Sequence, residues 1–388
     1  MKKNWEIVRL GDLCESDLGK TLNKSHDTGN FHPYLCSINV LWDKIDLSTL
    51  KEARFNENEI EKYSVQKGDL LICEGGDIGR CAIWEKEESF LYQNAIHRVR
   101  FNDRINPRYC LYYLKHLKDT GTLDSRYGKG VTIKHLVKSS LHSIPIPVPP
   151  LPVQARIVDE LDCLQGILSK KRQQLAEYHS LAQAIFHQMF GDPVVNEKGW
   201  EVKRLGEVCE LKSGFAFKSS LFKTEGLPIL RISNIQHDGI STNGLAFFAK
   251  EDYKEDLEKY KVLPGDTLIA LSGATTGKVG YNKIHENFYL NQRVAICREK
   301  HLCNRHFIFF ILKEMSKHIL EMAGGAAQPN ISTKQIGLLT IPIPPLPLQQ
   351  SFANRIAVIN NQCESLNKSI HEMETLLATR MDMLLNID

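Results

Sequence analysis

Between residues 157 and 189, apolar side chains fall at alternating steps of four and three. Leu161, Leu168, Leu175, Ala182 and Met189 form one seven-residue series, and Ile157, Leu164, Lys171, Tyr178 and Ile185 form the other. The pattern returns with Phe352, Ile359, Leu366, Met373 and Arg380, offset against Ile356, Cys363, Ile370, Leu377 and Leu384. Nine of ten positions in each stretch are apolar or Ala, which is the narrow seam of a coiled coil. Each stretch is predicted to be one long helix, and about 36 residues would give a rod of roughly 54 Å. The first stops at Phe190-Gly191-Asp192-Pro193, a glycine positioned to end a helix with a proline just beyond. Two uninterrupted helices of matched length are expected to pair with each other. Two amphipathic helices packed on separate domains would be the alternative.

A second pattern has a period of 195 residues. Trp5-Glu6-Ile7-Val8-Arg9-Leu10-Gly11-Asp12-Leu13-Cys14-Glu15 returns as Trp200-Glu201-Val202-Lys203-Arg204-Leu205-Gly206-Glu207-Val208-Cys209-Glu210, with seven of eleven positions identical. Gly68-Asp69 answers Gly265-Asp266, and Ile144-Pro145-Ile146-Pro147 answers Ile341-Pro342-Ile343-Pro344. So long a period means two copies of a whole domain with its connector, not a solenoid unit. Nine of the fifteen prolines lie in 145–152 and 342–347. Proline restricts itself and its predecessor, so these segments read as stiff, extended hinges. Pro152 and Pro347 then suit the first turn of each helix. A proline-rich ligand is the competing reading.

The resulting expectation is an α+β protein with two similar mixed α/β heads. They would be separated by a long antiparallel two-helix coiled coil with pseudo-two-fold symmetry. The expected divisions are 1–146 (first head), 147–191 (hinge and central helix), 192–343 (second head) and 344–388 (hinge and C-terminal helix). Within the heads, 69–73 and 267–271 read as strands bounded by glycine. Segments 108–114 and 305–312 read as short buried helices.

Composition excludes more than it assigns. Apolar content of 42% and charged content of 24% are ordinary for a globular protein. Apolar runs fall well short of the roughly 20 residues of a membrane helix, and no apolar run follows Lys2 and Lys3, so a cytoplasmic protein without membrane contact is expected. The ten cysteines include no Cys-x-x-Cys pair, which disfavours zinc and dithiol chemistry. A net charge of +3 permits a basic face without requiring one.

Candidate chemistry is sparse. Gly273-Ala274-Thr275-Thr276-Gly277-Lys278 is one residue too short between its glycines for a phosphate-binding loop and lacks Ser or Thr after the lysine. Both copies nevertheless place a cation after a glycine turn, Arg80 or Lys278. That suits a nucleic-acid phosphate, and equally a hairpin turn with a solvated cation. Asn106-Pro107-Arg108-Tyr109 reads as a turn entering a helix. No metal-binding, nucleophile or S-adenosylmethionine signature stands out, so no catalytic residue, resident cofactor or metal is expected. The segments that differ between the copies are polar and aromatic. Tyr92–Arg98 lies opposite 291–293, and Arg126–Thr132 lies opposite 324–332. Arg, Asn and Gln pair bidentately with base edges, while Lys engages the backbone.

The order of these motifs resembles a specificity subunit of type I restriction–modification enzymes. The resemblance rests on Trp-x-x-x-x-Leu-Gly at the start of each head, Ile-Pro-Ile-Pro and Pro-Pro-Leu-Pro-x-Gln at its end, and Ile185–Pro193 followed by Gly199-Trp200 at the junction. It implies two target-recognition domains, each reading half of a bipartite, asymmetric double-stranded DNA sequence. It further implies a coiled coil that sets the spacer and docks two methyltransferase (M) subunits. Those partners use S-adenosylmethionine to methylate adenine, and two ATP- and Mg-dependent restriction (R) subunits can join. By this analogy the DNA-contacting residues are Arg80, Gln93, Arg98, Lys129 and Thr132 in the first head. In the second they are Lys278, Gln292, Arg293, Gln328 and Asn330. A non-catalytic two-headed scaffold for protein partners is the alternative function.

Overall fold

A computed structural model describes residues 5–23, 27–131, 134–236, 239–284, 287–324 and 329–386. The chain divides into two compact units, Met1–Arg172 with Lys368–Asp388, and Gln173–Asn367. The divisions fall inside the two long helices, Leu151–Phe190 and Leu346–Leu385, each of 40 residues. Each globular part therefore carries a stretch of both helices.

Within the first unit, Cys14–Leu18, Ile96–Phe101, Leu70–Cys73 and Cys81–Ile83 form an antiparallel sheet in that order. A second sheet orders Lys51–Phe55, Asn30–Leu35, Phe90–Tyr92 and Ser64–Val65, with its middle pair parallel. The second unit repeats both strand orders. Its sheets are Cys209–Ser213, Val294–Glu299, Thr267–Ala270, Val279–Tyr281, and Ala246–Phe248, Leu227–Leu230, Phe288–Leu290, Lys261–Val262. The expected short helices are present as Pro107–Asp119 and Arg305–Glu314. Asn106 and Asn304 cap them, accepting from the N–H groups of Arg108 and His306 at 2.8 and 2.9 Å.

The repeated Gly-Asp has a structural cause. Asp69 accepts from the Gln66 N–H at 2.7 Å and takes a two-bond fork from Arg100 at 2.8 and 2.7 Å. Asp266 does the same with Leu263 N–H and Arg298, at 2.7 Å throughout. Both carboxylates are buried, so each is satisfied by a turn amide and a guanidinium at once.

The proline segments differ from the expected hinges. Pro145–Val148 pairs antiparallel with Glu6–Arg9, and Thr340–Ile343 with Glu201–Arg204. The two most strongly repeated motifs thus meet as a two-stranded sheet in each unit. Proline at every second position spares the ladder, because alternate N–H groups in a two-stranded pair point away from the partner.

The helix then begins on a buried glutamine. Gln154 Oε1 accepts from the Asn106 N–H at 2.7 Å, and its Nε2 donates to the Pro149 and Arg104 carbonyls at 2.8 and 3.0 Å. Gln349 accepts from Asn304 N–H at 2.8 Å and donates to the Pro344 and Leu302 carbonyls at 2.8 and 3.3 Å.

In each unit the helix segments run antiparallel. In the first, Glu160 meets Arg380 at 2.5 Å and Arg172 meets Glu374 at 2.6 Å. The charge that interrupts the seam at Arg380 thus has its partner on the opposite helix. In the second, Phe186 and Phe190, late in the first helix, pack on Phe352, early in the second, at 5.6 and 5.2 Å. Gly191, at φ +78°, ends the first helix as expected. The first unit adds a polar lock: Arg108 shares its Nε–H between the two Asp162 oxygens of the helix at 2.6 and 2.8 Å and forks onto Asp43 with its two terminal nitrogens at 3.0 Å, while Tyr112 donates to Asp162 at 2.5 Å. All ten cysteines are free thiols, and burial pushes the Cys14 thiol up to about 12. No described helix is long and apolar enough to cross a membrane.

Candidate nucleic-acid interface

Three chain segments converge at the same place in each unit, joined by equivalent backbone hydrogen bonds. In the first, the Glu74 N–H donates to the Ala95 carbonyl at 2.9 Å and the Leu136 N–H to the Glu74 carbonyl at 2.7 Å. In the second, Leu271 donates to Arg293 and Ile331 to Leu271, both at 2.9 Å. The turn before the longest strand and the segment before the last short helix are therefore docked on the same strand end. Glycine makes the neighbouring crossing possible. A Cβ at Gly19 would lie 2.3 Å from the Gln93 carbonyl carbon, and one at Gly214 would lie 2.2 Å from the Leu290 oxygen. A side chain at either position would collide with backbone.

In the second unit this junction is concave. Gln292, Arg293 and Asn330 line a cavity of about 650 Å³ together with Ser213, Ser272, Ser332 and Thr333. Gln292, Arg293 and Asn330 are exposed. Lys278 is half-buried beside the Gly273–Thr275 turn, its N–H bonded to the Thr275 carbonyl at 3.0 Å, and it does not line the cavity. Gln328 lies outside the described residues.

The first unit is built differently on the same frame. Lys129 is exposed, and its backbone forms a two-bond pair with His135 at 2.9 and 2.8 Å. His135 in turn bridges Gly75. Val131 is fully exposed, and Thr132 lies outside the described residues. Gln93 is half-buried with its N–H on the Leu35 carbonyl at 3.0 Å. Arg98 is folded back onto its sheet, held by Asp17 at 3.0 Å and the Ser64 carbonyl at 3.1 Å. Arg80 also turns inward, donating to the Ser37 carbonyl at 2.7 Å. Behind the junction His97 is fully buried with Nε2 on the Leu136 carbonyl at 2.8 Å. Burial lowers its pKa, opposed by that hydrogen bond.

The sequence-derived residues thus fall into two groups. Gln292, Arg293 and Asn330 come together, and Lys129 stands beside the junction of its own unit, whereas Arg80 and Arg98 serve internal contacts. Ser332 ends the divergent segment 324–332, whereas Ser213, Ser272 and Thr333 carried no sequence signal, since a lone hydroxyl in a turn is commonplace. Only their assembly around one cavity marks them. Among the described residues no group of three or more His, Cys, Asp or Glu side chains could hold a metal ion.

The family model for the type I restriction modification DNA specificity domain matches twice, over residues 2–178 and 197–375. The chain belongs to that family. A specificity subunit of type I restriction enzyme MjaVIII from Methanocaldococcus jannaschii is 29% identical, the alignment covering 99% of this chain and 92% of the relative. The putative MjaX specificity subunit of the same organism is 26% identical, with 99% and 93% covered. Among solved structures, the S subunit of a type I restriction–modification system from M. genitalium superposes with a TM-score of 0.58 at 18% identity, covering 98% of this chain and 96% of that one. A chain solved in a study of complex assembly and conformational transition of the type I R-M system gives 0.59 at 18% identity, covering 99% and 98%. At that identity the likeness speaks for the fold.

Each of the two family matches spans one set of sheets, one three-way junction and most of one long helix. As a specificity-family protein, the chain carries the junction twice with different side chains on it. The junction carrying exposed Lys129 in the first unit and the concave surface of the second are non-equivalent faces of an otherwise repeated frame.

Proposed function

We propose that this chain is the DNA-sequence-recognising subunit of a type I restriction–modification complex, with each unit reading one half of a bipartite, asymmetric duplex target. The observation that carries this reading is the repeated three-way junction bearing unlike side chains. Identical faces would suit identical half-sites, whereas unlike faces suit two different ones. Candidate contacts are Arg80, Gln93, Arg98, Lys129 and Thr132 in the first unit and Lys278, Gln292, Arg293, Gln328 and Asn330 in the second. Arg98 and Arg80 would have to leave their internal partners to reach a base.

In this reading the paired helices fix the spacer between the half-sites and give two methyltransferase subunits a platform. Those partners supply S-adenosylmethionine and extrude the adenine they methylate. Two restriction subunits, using ATP and Mg, complete the assembly where they are present. This chain positions the reaction and contributes no reacting group.

Two experiments test it. With methyltransferase subunits supplied, duplex affinity should fall linearly on a log scale with salt, at a slope of about −0.9 per phosphate neutralised. An affinity indifferent to salt would sink the DNA reading and favour a protein scaffold. Inserting one heptad at matched places in both helices should lengthen the spacer in the methylated sequence. An unchanged spacer would contradict the ruler role.

A further inference from the structure

The cavity of the second unit carries side chains of defined base chemistry on a fixed backbone. The Gln292 N–H is held by the Phe215 carbonyl at 2.8 Å, the Arg293 N–H by Asn291 Oδ1 at 3.2 Å, and the Arg293 carbonyl by the Leu271 N–H. Their side chains are exposed, and among the described residues those of Arg293, Gln292 and Asn330 make no hydrogen bond or ion pair. Ser272 contributes a hydroxyl that is shielded from solvent and unpartnered among the described residues. Among the described residues no Asp or Glu lines the cavity, so none of them neutralises the guanidinium there or stands ready for the amino group of cytosine.

The first unit offers a contrast at the same backbone positions. Ala95, at φ +81°, stands where the second has Arg293, and Asn94, with its amide on Thr21 at 3.0 Å, stands where the second has Gln292. Its nearby arginine, Arg98, is committed to Asp17. The second unit alone presents an uncommitted arginine fork at this junction beside two amides.

We propose that this cavity reads purine edges in the major groove. Arg293 donates its two N–H groups to O6 and N7 of a guanine, and Gln292 or Asn330 pairs with N6 and N7 of an adjacent adenine. A planar fork matches guanine's two acceptors, and a carboxamide matches adenine's donor–acceptor pair. The proposal rests on the DNA reading above and adds the base identities of one half-site. The first unit, with alanine at the equivalent place, reads its half by other contacts.

The test is to map methylated adenines in cells carrying this chain with its methyltransferase partners, for wild type, Arg293→Ala, Arg293→Lys, Gln292→Ala and Asn330→Ala. Wild type should give a half-site with an invariant guanine. Arg293→Ala should reduce discrimination at that guanine about ten- to a hundredfold and leave the other half-site unchanged. Arg293→Lys keeps the charge without the fork, so it should retain binding while still losing discrimination. Gln292→Ala should relax only the neighbouring adenine if that amide is the reader, and otherwise leave it to Asn330→Ala to do so. Weaker methylation at all sites with the motif intact would make Arg293 a phosphate contact and overturn the proposal. So would an Arg293→Lys protein of wild-type specificity. A wild-type chain that produces no bipartite motif would instead overturn the functional reading itself.

Discussion

Gln154 accepts a hydrogen bond from the backbone N–H of Asn106 at 2.7 Å, and the same bond joins Gln349 to Asn304 at 2.8 Å. Both glutamines are fully buried, and both spend their amide hydrogens on carbonyls of the preceding proline segment and of the loop before the short helix. The long helix is thereby fastened to its globular part at its first turn. This explains the glutamine that follows Pro-Leu-Pro in each copy.

Replacing Gln154 or Gln349 by Ala would leave a buried N–H and buried carbonyls unpaired, at a cost of about 2–3 kcal/mol. Glu at either position would accept from the N–H but could not donate, so it should rescue little. Urea unfolding of the single variants measures this. A loss below about 0.5 kcal/mol for both would show that the joint is held by packing alone.

The Asp69–Arg100 and Asp266–Arg298 forks make a matched prediction in the two units. Asp69→Asn and Asp266→Asn can accept the turn N–H but can no longer balance the arginine. Each should destabilise its own unit by about 2 kcal/mol, with the Arg100→Lys and Arg298→Lys variants falling between. Native-state hydrogen exchange should show the loss confined to the strands of the mutated unit.

Acid sensitivity follows from His97. A carbonyl only accepts, so the Nε2 facing Leu136 carries the proton and the buried Nδ1 is bare, which makes the native ring neutral. Burial holds its pKa below the ordinary 6.5. Below pH 6.5 the unfolded chain takes up a proton that the native one refuses, so stability is full above that pH and is lost as pH falls toward the depressed native value. His97→Gln, whose amide can still donate to Leu136, should flatten the fall in melting temperature between pH 6.5 and 5. An unaltered pH profile would count against a neutral native His97.

Arg108 and Tyr112, both on the short helix, tie the first unit to its own long-helix segment through Asp162. Arg108→Lys loses the Nε–H contact to Asp162 and the fork onto Asp43, and Asp162→Asn loses the charge that the Nε–H meets, so each should cost about 2 kcal/mol. The double variant should cost less than the sum, because both remove the same interaction. A double-variant cycle in urea reads the coupling directly, and strict additivity would contradict it.

The sequence made the periodic features legible and hid those that depend on distant partners. The heptads gave both helices, and the Gly191 stop holds, because seam and cap are local signals. The duplicated motifs gave two similar units. The proline segments are extended, as their composition implies, but their pairing with Glu6–Arg9 and Glu201–Arg204 joins residues more than a hundred positions apart and was not legible. The sequence marks Arg98 as a candidate contact but not its partner Asp17, 81 residues away. Gln292, Arg293 and Asn330 stand out in the sequence because the copies differ there, and the fold brings them to one cavity. Ser213 and Ser272 beside them do not stand out, because only the fold gathers them.

If two unlike faces on a repeated frame read two unlike half-sites, sequencing methylated adenines in cells with methyltransferase partners should give different results with and without this chain. A motif should appear only with the chain, with two different halves separated by a fixed spacer. An unchanged methylation pattern, or a single undivided motif, would contradict recognition by two unlike faces.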